Sequence, residues 1–176
     1  EIIVPTITFI APINAVIYNR CKPIFMDTDN FGNLDVSKLA EFLENNTFKR
    51  GKHTINKSTK NIIKAVIVVH VFGNLADVIN IKKICKKKNI VVIEDASESL
   101  GSYYKYNTKL LHSGSIGDIG CISFNANKII TTGSGGSIIT NIKKVSKRVN
   151  YLSTQAKNDS VRFIHDEIGY NMKLNN

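Results

Sequence analysis

The chain has 176 residues, of which 43% are hydrophobic and 22% charged, and its formal net charge is +10. That is enough apolar material for one well-buried domain, but no run approaches the ~20 apolar residues of a spanning helix, and no charged-then-apolar leader precedes a cleavage site. Cys21, Cys85 and Cys121 are odd in number and lack metal-like or CxxC spacing, which speaks for structural thiols in a reducing, cytoplasmic setting and against a disulfide framework or a zinc site.

The opening run Ile2 to Val4 reads as a buried strand that Pro5 turns into a loop through Phe9. Ala11 to Tyr18 is helix-like, and Lys22 to Asp27 is a short strand. Leu34, Leu39, Phe42 and Leu43 recur at helical spacing, which predicts a helix over residues 35–45 capped by Asp35 or Ser37. Residues 47–60 are polar and aperiodic and are expected to form a mobile surface excursion. Ile62 to Val71 is almost continuously apolar and β-branched, as in a strand covered on both faces.

In residues 77–88, Val78, Ile81, Ile84 and Cys85 fall on one helical face. The dense basic run from Lys82 to Lys88 then lines the solvated face. With no aromatic interleaving, it is not read as a nucleic-acid surface. Asn89 to Ile93 is the next strand and ends on Glu94-Asp95, completing a strand–helix–strand unit. Catalytic groups in such sheets sit beyond the strands' carboxyl ends, where Asp95 falls. Residues 102–118 are loop-like, Ile142 to Leu152 is a basic helix, and a polar linker leads to Phe163–Asn171. No internal repeat or low-complexity break divides the chain, so one α/β layer accounts for it.

Between Gly120 and Thr140 two short β-like runs flank a polar, glycine-rich loop that carries Lys128 as its one charged residue. Most lysines are solvated surface charges. A lysine set among apolar and small residues suits Schiff-base chemistry instead, which needs the neutral amine.

Here the residues become recognisable. Ser123-Phe124-x-x-x-Lys128, followed by Thr-Thr-Gly-x-Gly-Gly, resembles the cofactor-lysine segment of the DegT/DnrJ/StrS-type sugar aminotransferases, and Glu94-Asp95-Ala96-Ser97-Glu98-Ser99-Leu100-Gly101 is similar to that family's second signature. The resemblance implies an aspartate-aminotransferase-like (fold type I) large domain with a mainly parallel central sheet and helices on both faces. It also implies that residues 1–176 lack an N-terminal phosphate-binding segment and a small C-terminal domain; the abrupt end on Lys-Leu-Asn-Asn likewise reads as the middle of a longer protein.

By the same resemblance, Lys128 carries pyridoxal 5'-phosphate on its amine and serves as the catalytic base, and Asp95 pairs with the pyridine nitrogen. Ser123 contacts the phosphate and Phe9 stacks on the ring. Glu98 stands where relatives carry Gln or His against the ring. Asn171, in Gly-Tyr-Asn, reaches the cofactor phosphate of a neighbouring subunit, which makes the enzyme a homodimer with shared sites. Thr131 and Thr132 are further candidate contacts. His70 is expected to be a satisfied core group, and His165 to border the sugar site; no metal ligand set is expected.

The implied reaction is transamination of a nucleotide-linked keto-sugar with L-glutamate as donor, closest to the branch that aminates C4 of UDP-2-acetamido-2,6-dideoxy-4-hexulose for surface glycans. The alternatives are a C3 aminotransferase of a dTDP-keto-sugar and a non-catalytic binding module of the same fold. A related sugar dehydratase carries histidine in place of the lysine, and Lys128 argues against it.

Overall fold

The β-branched runs become strands of one sheet, and the amphipathic runs become the helices that cover it. A computed structural model of the chain describes residues 1–159 and 161–172; Ser160, in the polar linker, and the closing Lys-Leu-Asn-Asn lie outside the described residues. In order the elements are β1 (Ile2–Pro5), α1 (Ile10–Tyr18), β2 (Pro23–Met26), α2 (Val36–Asn45), β3 (Thr47–Arg50), β4 (His53–Asn56), β5 (Ile62–Ile63) and β6 (Ala65–Val69). They continue as α3 (Val78–Lys88), β7 (Val91–Asp95), β8 (Tyr103–Tyr106), β9 (Lys109–His112), β10 (Ile119–Ser123), β11 (Gly136–Ile139), α4 (Lys143–Ser153), β12 (Lys157–Asp159) and β13 (Ile164–His165).

The main sheet runs in the order β11-β10-β7-β6-β1-β2. Neighbours are parallel throughout except for β11, which returns antiparallel on β10. Side chains alternate along a strand, so Ile3, Val66 and Val68 enter one core while Val4, Ile67 and Val69 enter the other. Leu39 and Leu43 of α2 and Val78, Ile81 and Cys85 of α3 close the first core, and Ile13 and Val16 of α1 close the second. Helices therefore cover both faces. Each fully buried Leu or Ile contributes about 1.5–3 kcal/mol, so these two layers hold the sheet.

Asp35 caps α2 as expected, accepting from the Ser37 and Lys38 amides at 2.8 and 3.1 Å. Asp77, expected inside the next helix, instead caps α3 by accepting from the Asn80 amide at 3.2 Å. α3 stops at Asn89, in the left-handed conformation at φ 56°, with Lys86, Lys87 and Lys88 in its last turn against the helix dipole.

Three stretches differ from expectation. Residues 47–60 are not an excursion: β3, β4 and β5 form a three-stranded antiparallel sheet. Its buried positions are Thr47, Thr54 and Asn56 beside Ile55 and Ile63, so polar residues interrupt the apolar signal. Their burial is tolerated because Thr47 Oγ1 donates to the Leu43 carbonyl and Thr54 Oγ1 to that of Lys88.

The run from Ile62 to Val71 divides at Lys64, whose amide donates to the Glu1 carbonyl at 2.9 Å and whose carbonyl accepts from Val91 at 3.1 Å. Ile62 and Ile63 thus belong to the small sheet, and the central strand begins at Ala65. Residues 103–112 form a hairpin, with Asn107 at φ 54° in its turn. Among the described residues, no helix is long and apolar enough to cross a membrane.

Candidate functional site

Four adjacent parallel strands end on one edge of the sheet, and the segments that leave them enclose a cavity of about 520 Å³. After β1 come Thr8 and Phe9, after β6 His70 and Phe72, at and after β7 Asp95, Ser97 and Glu98, and at and after β10 Ser123, Asn125, Asn127 and Lys128. The sheet reverses its direction of winding between β1 and β6, and carboxyl ends at such a switch point are where ligands of open α/β sheets bind.

The Lys128 loop is held by its own backbone and threonines. The Lys128 amide donates to the Asn125 carbonyl at 3.0 Å and the Thr132 amide to that of Phe124 at 3.1 Å. Thr131 Oγ1 donates to the Phe124 carbonyl at 3.1 Å, and Thr132 Oγ1 to that of Ser134 at 2.6 Å. Both threonine hydroxyls, expected near the ligand, are thus used in shaping the loop.

Lys128 is not isolated in space as it is in sequence. Its Nζ lies 3.5 Å from Glu98 Oε1, with the lysine side chain 18% exposed. The other Glu98 oxygen accepts the Phe72 amide at 2.8 Å. Phe72 has φ 53° and ψ 28°, an outlier conformation for a bulky side chain, and its ring is 89% exposed at the cavity. The next residue must be glycine: Gly73 has φ 81°, and a Cβ there would stand 3.0 Å from the Glu98 carbonyl oxygen.

Asp95 closes β7, its carbonyl accepting the His70 amide at 3.1 Å and its Oδ1 the Ser97 amide at 3.1 Å. The carboxylate is thereby fixed at the cavity floor.

Under the floor lies a fully buried pair. His70 Nδ1 accepts the Ala76 amide at 3.3 Å, so its Nε2 carries the proton and donates to Glu94 Oε2 at 3.1 Å. Glu94 also accepts the backbone N–H groups of Gly114 at 2.8 Å, Ile116 at 2.7 Å and Gly117. Burial pushes its carboxyl up, but the His70 bond and the Gly117 and Gly114 amides outweigh that and hold it below the usual carboxylate range. Gly117 is required here, since a Cβ would meet the Val92 carbonyl oxygen at 2.9 Å. His70 is thus the satisfied core group expected, and Glu94, with no chemistry assigned to it, is structural through partners that its sequence context did not reveal.

The remaining predicted residues divide. Phe9 sits at the head of α1, 75% exposed and lining the cavity instead of the core; Ser123 lines it too, its Oγ accepting the Asn125 amide at 3.3 Å. Asn171 does not line it: it is exposed and bridged to Thr154 beside α4. His165 lies in the β12–β13 ribbon, its Nδ1 2.7 Å from the Gln155 carbonyl oxygen. Burial pushes the Cys85 thiol up to about 12 and that of Cys121 up to about 11, which works against thiolate chemistry at either.

Sequence reading missed Thr8, Asn125, Asn127 and Phe72. The two asparagines stood inside the motif of the lysine loop and were the visible signal. Thr8 Oγ1 is a buried oxygen with no hydrogen-bond partner among the described residues.

Pyridoxal phosphate requires an amine, a carboxylate, phosphate donors and a ring face. The cavity offers Lys128, Asp95, Ser123 and Phe9, with an orphaned hydroxyl at Thr8, so the residues fit the group. Thr8→Val is therefore expected to shift unfolding of the cofactor-free protein by under about 0.5 kcal/mol, because no bond is lost. It should weaken cofactor retention by roughly fivefold, about one hydrogen bond. Calorimetry and a spectral titration read the two effects, and unchanged cofactor affinity would rule out a ligand role for the hydroxyl.

Comparison with known proteins agrees. The model of the DegT/DnrJ/EryC1/StrS aminotransferase family matches residues 1–176. The chain is 36% identical over 176 residues to GDP-perosamine synthase of Escherichia coli O157:H7, covering 100% of this chain and 43% of that protein. It is 35% identical over 170 residues to the putative pyridoxal phosphate-dependent aminotransferase EpsN of Bacillus subtilis (strain 168), covering 96% and 40%. Among solved structures, Helicobacter pylori PseC, an aminotransferase involved in the biosynthesis of pseudoaminic acid, aligns with a TM-score of 0.79 at 28% identity, covering 99% of this chain and 42% of that one. The chain spans less than half the length of each of these relatives.

Proposed function

Because the chain belongs to the DegT/DnrJ/EryC1/StrS aminotransferase family, we propose that it carries the cofactor site of an enzyme that moves an amino group from L-glutamate to a nucleotide-linked keto-sugar. The observation that supports this most is the convergence of Lys128, Asp95, Ser123 and Phe9 on one cavity at the carboxyl edge of the sheet. Pyridoxal phosphate, when bound, supplies the electron sink that lets the amino acid lose its Cα proton.

The chain's own residues do the rest. Lys128 Nζ would be the attachment point and, once free, the base that moves a proton between the donor's Cα and the cofactor's C4′. The Asp95 carboxylate, held by the Ser97 amide, would pair with the ring nitrogen and keep it protonated. The Ser123 hydroxyl would serve the phosphate and the Phe9 ring would cover one face of the cofactor. Asn171, outside its own cavity, would serve the phosphate of a second copy, so the working unit is a homodimer; the unpaired cysteines suit a cytoplasmic one.

For the sugar we favour UDP-2-acetamido-2,6-dideoxy-4-hexulose, on the residues Ser-Phe-Asn-x-Asn-Lys and Glu-Ser-Leu-Gly-Ser. The 36% identity to a GDP-perosamine synthase supports a second reading, a GDP-linked keto-sugar.

The test is the visible spectrum of the whole protein with pyridoxal phosphate, before and after L-glutamate. The expected result is a cofactor band that bleaches with glutamate and returns on adding the UDP-linked keto-sugar. Return with only the GDP-linked sugar would select the second reading. Failure to form any band would remove the enzyme reading, and a band indifferent to glutamate would remove the donor.

A further inference from the structure

Among the described residues, Glu98 is the one side chain in the cavity that holds two other parts of the site at once. Oε1 stands 3.5 Å from Lys128 Nζ and Oε2 accepts the Phe72 amide at 2.8 Å. The pair lies further from solvent than an ordinary surface ion pair: the side chains are 18% and 36% exposed, against 48% and 61% for Lys38 and Asp27. Phe72 lines the cavity in a strained conformation, one that persists only where the surroundings over-determine it.

The rest of that turn is closed by its own backbone, with Gly73 N–H to the His70 carbonyl at 3.1 Å and Asn74 N–H to that of Val71 at 3.0 Å. The Phe72 amide points the other way, and its acceptor is Glu98. One carboxylate therefore fixes both the lysine nitrogen and the strained aromatic turn.

We propose that Glu98 is a positioning residue that works as a two-armed latch: it holds the Lys128 amine in the cofactor-free site with one oxygen and the Phe72 turn with the other. This deepens the aminotransferase reading and rests on it for its role in turnover, where the lysine nitrogen must be engaged and released in each cycle. While Lys128 is free, the carboxylate sets where its nitrogen waits. When the nitrogen is engaged elsewhere, Oε1 loses its partner and the latch keeps only the Phe72 arm.

The two arms differ chemically, which makes them separable. An amide oxygen still accepts from the Phe72 N–H but carries no charge for an ammonium. Glu98→Gln thus cuts the lysine arm alone, and Glu98→Ala cuts both.

The experiment uses the cofactor-free whole protein, labelled at lysines with trinitrobenzenesulfonate and read by peptide mass spectrometry, with hydrogen exchange of the Phe72 amide measured in parallel. Glu98→Gln is expected to raise labelling at Lys128 about two- to fivefold, the range for a partly exposed ion pair, and to leave Phe72 exchange at the wild-type rate. Glu98→Ala is expected to raise both. Labelling at Lys128 that rises no more than at Lys143 and Lys144 would overturn the lysine arm, and Phe72 exchange unchanged in Glu98→Ala would overturn the other. Because neither readout needs bound cofactor, failure of the latch and failure of the aminotransferase reading give separate signatures.

Discussion

Lys128→Ala is expected to abolish the glutamate-dependent spectral change and to lower turnover by about 10³-fold, the middle of the range for a lost proton-transfer group. The expectation follows from position. Among the described residues lining the cavity Lys128 is the one lysine, and its loop is held by backbone and threonine bonds that the substitution leaves intact. The side chain's contact with Glu98 is partly exposed, so its loss should change stability by under about 1 kcal/mol. A folded, inactive variant that no longer retains the cofactor band is the expected outcome. Retention of both band and half-reaction would assign the chemistry to another amine and remove the central claim for this cavity.

Glu94→Gln is the substitution with the largest expected effect on folding, a loss of about 3–5 kcal/mol as for one broken member of a buried charged network. Oε1 accepts from Ile116 and Gly117, and Oε2 from Gly114 and His70. Whichever way a glutamine turns, its NH₂ faces two N–H donors. His70 cannot relieve this by moving its proton, because its Nδ1 already accepts from Ala76. Denaturant unfolding at neutral pH measures the loss.

The pH dependence carries a second signature. The Glu94 carboxyl lies below its ordinary value in the folded protein, so its contribution is complete above the unfolded value of about 4.5 and is lost as pH falls through the lower folded value. Wild type should therefore lose stability faster than Glu94→Gln as pH falls below about 4.5, and the two curves should converge. Parallel curves across that window would show that the carboxylate does not sustain the fold.

The same pair shows how far the sequence could be read. Glu94 and His70 are 24 residues apart, and the loop that supplies the amides is a further 20 residues on. No spacing rule links them, because they meet only once β6 and β7 lie side by side in register. Lys128 and Glu98 are a like case. The lysine was legible as a solitary charge in a glycine-rich loop, yet its isolation along the chain did not survive folding. The small sheet of β3, β4 and β5 escaped notice because three of its five buried positions are Thr47, Thr54 and Asn56, beside Ile55 and Ile63, and the burial of the threonines depends on hydrogen-bond partners elsewhere in the chain.

What the sequence determined by itself is local. The helical spacing of Leu39, Leu43, Val78, Ile81 and Cys85, the aspartate caps, and the β-branched runs each specify an element through contacts within a turn or a strand. The motif residues Lys128, Asp95, Ser123 and Phe9 were likewise nameable, and the fold gathers them at one sheet edge. Only the tertiary structure decided which polar groups face each other: Glu98 between Lys128 and Phe72, Glu94 among three amides and a histidine, and Asn171 away from its own cavity. The physical reason is that a buried or half-buried polar group is stable only with its partner in place, and the partner is set by strand order, which no local period encodes.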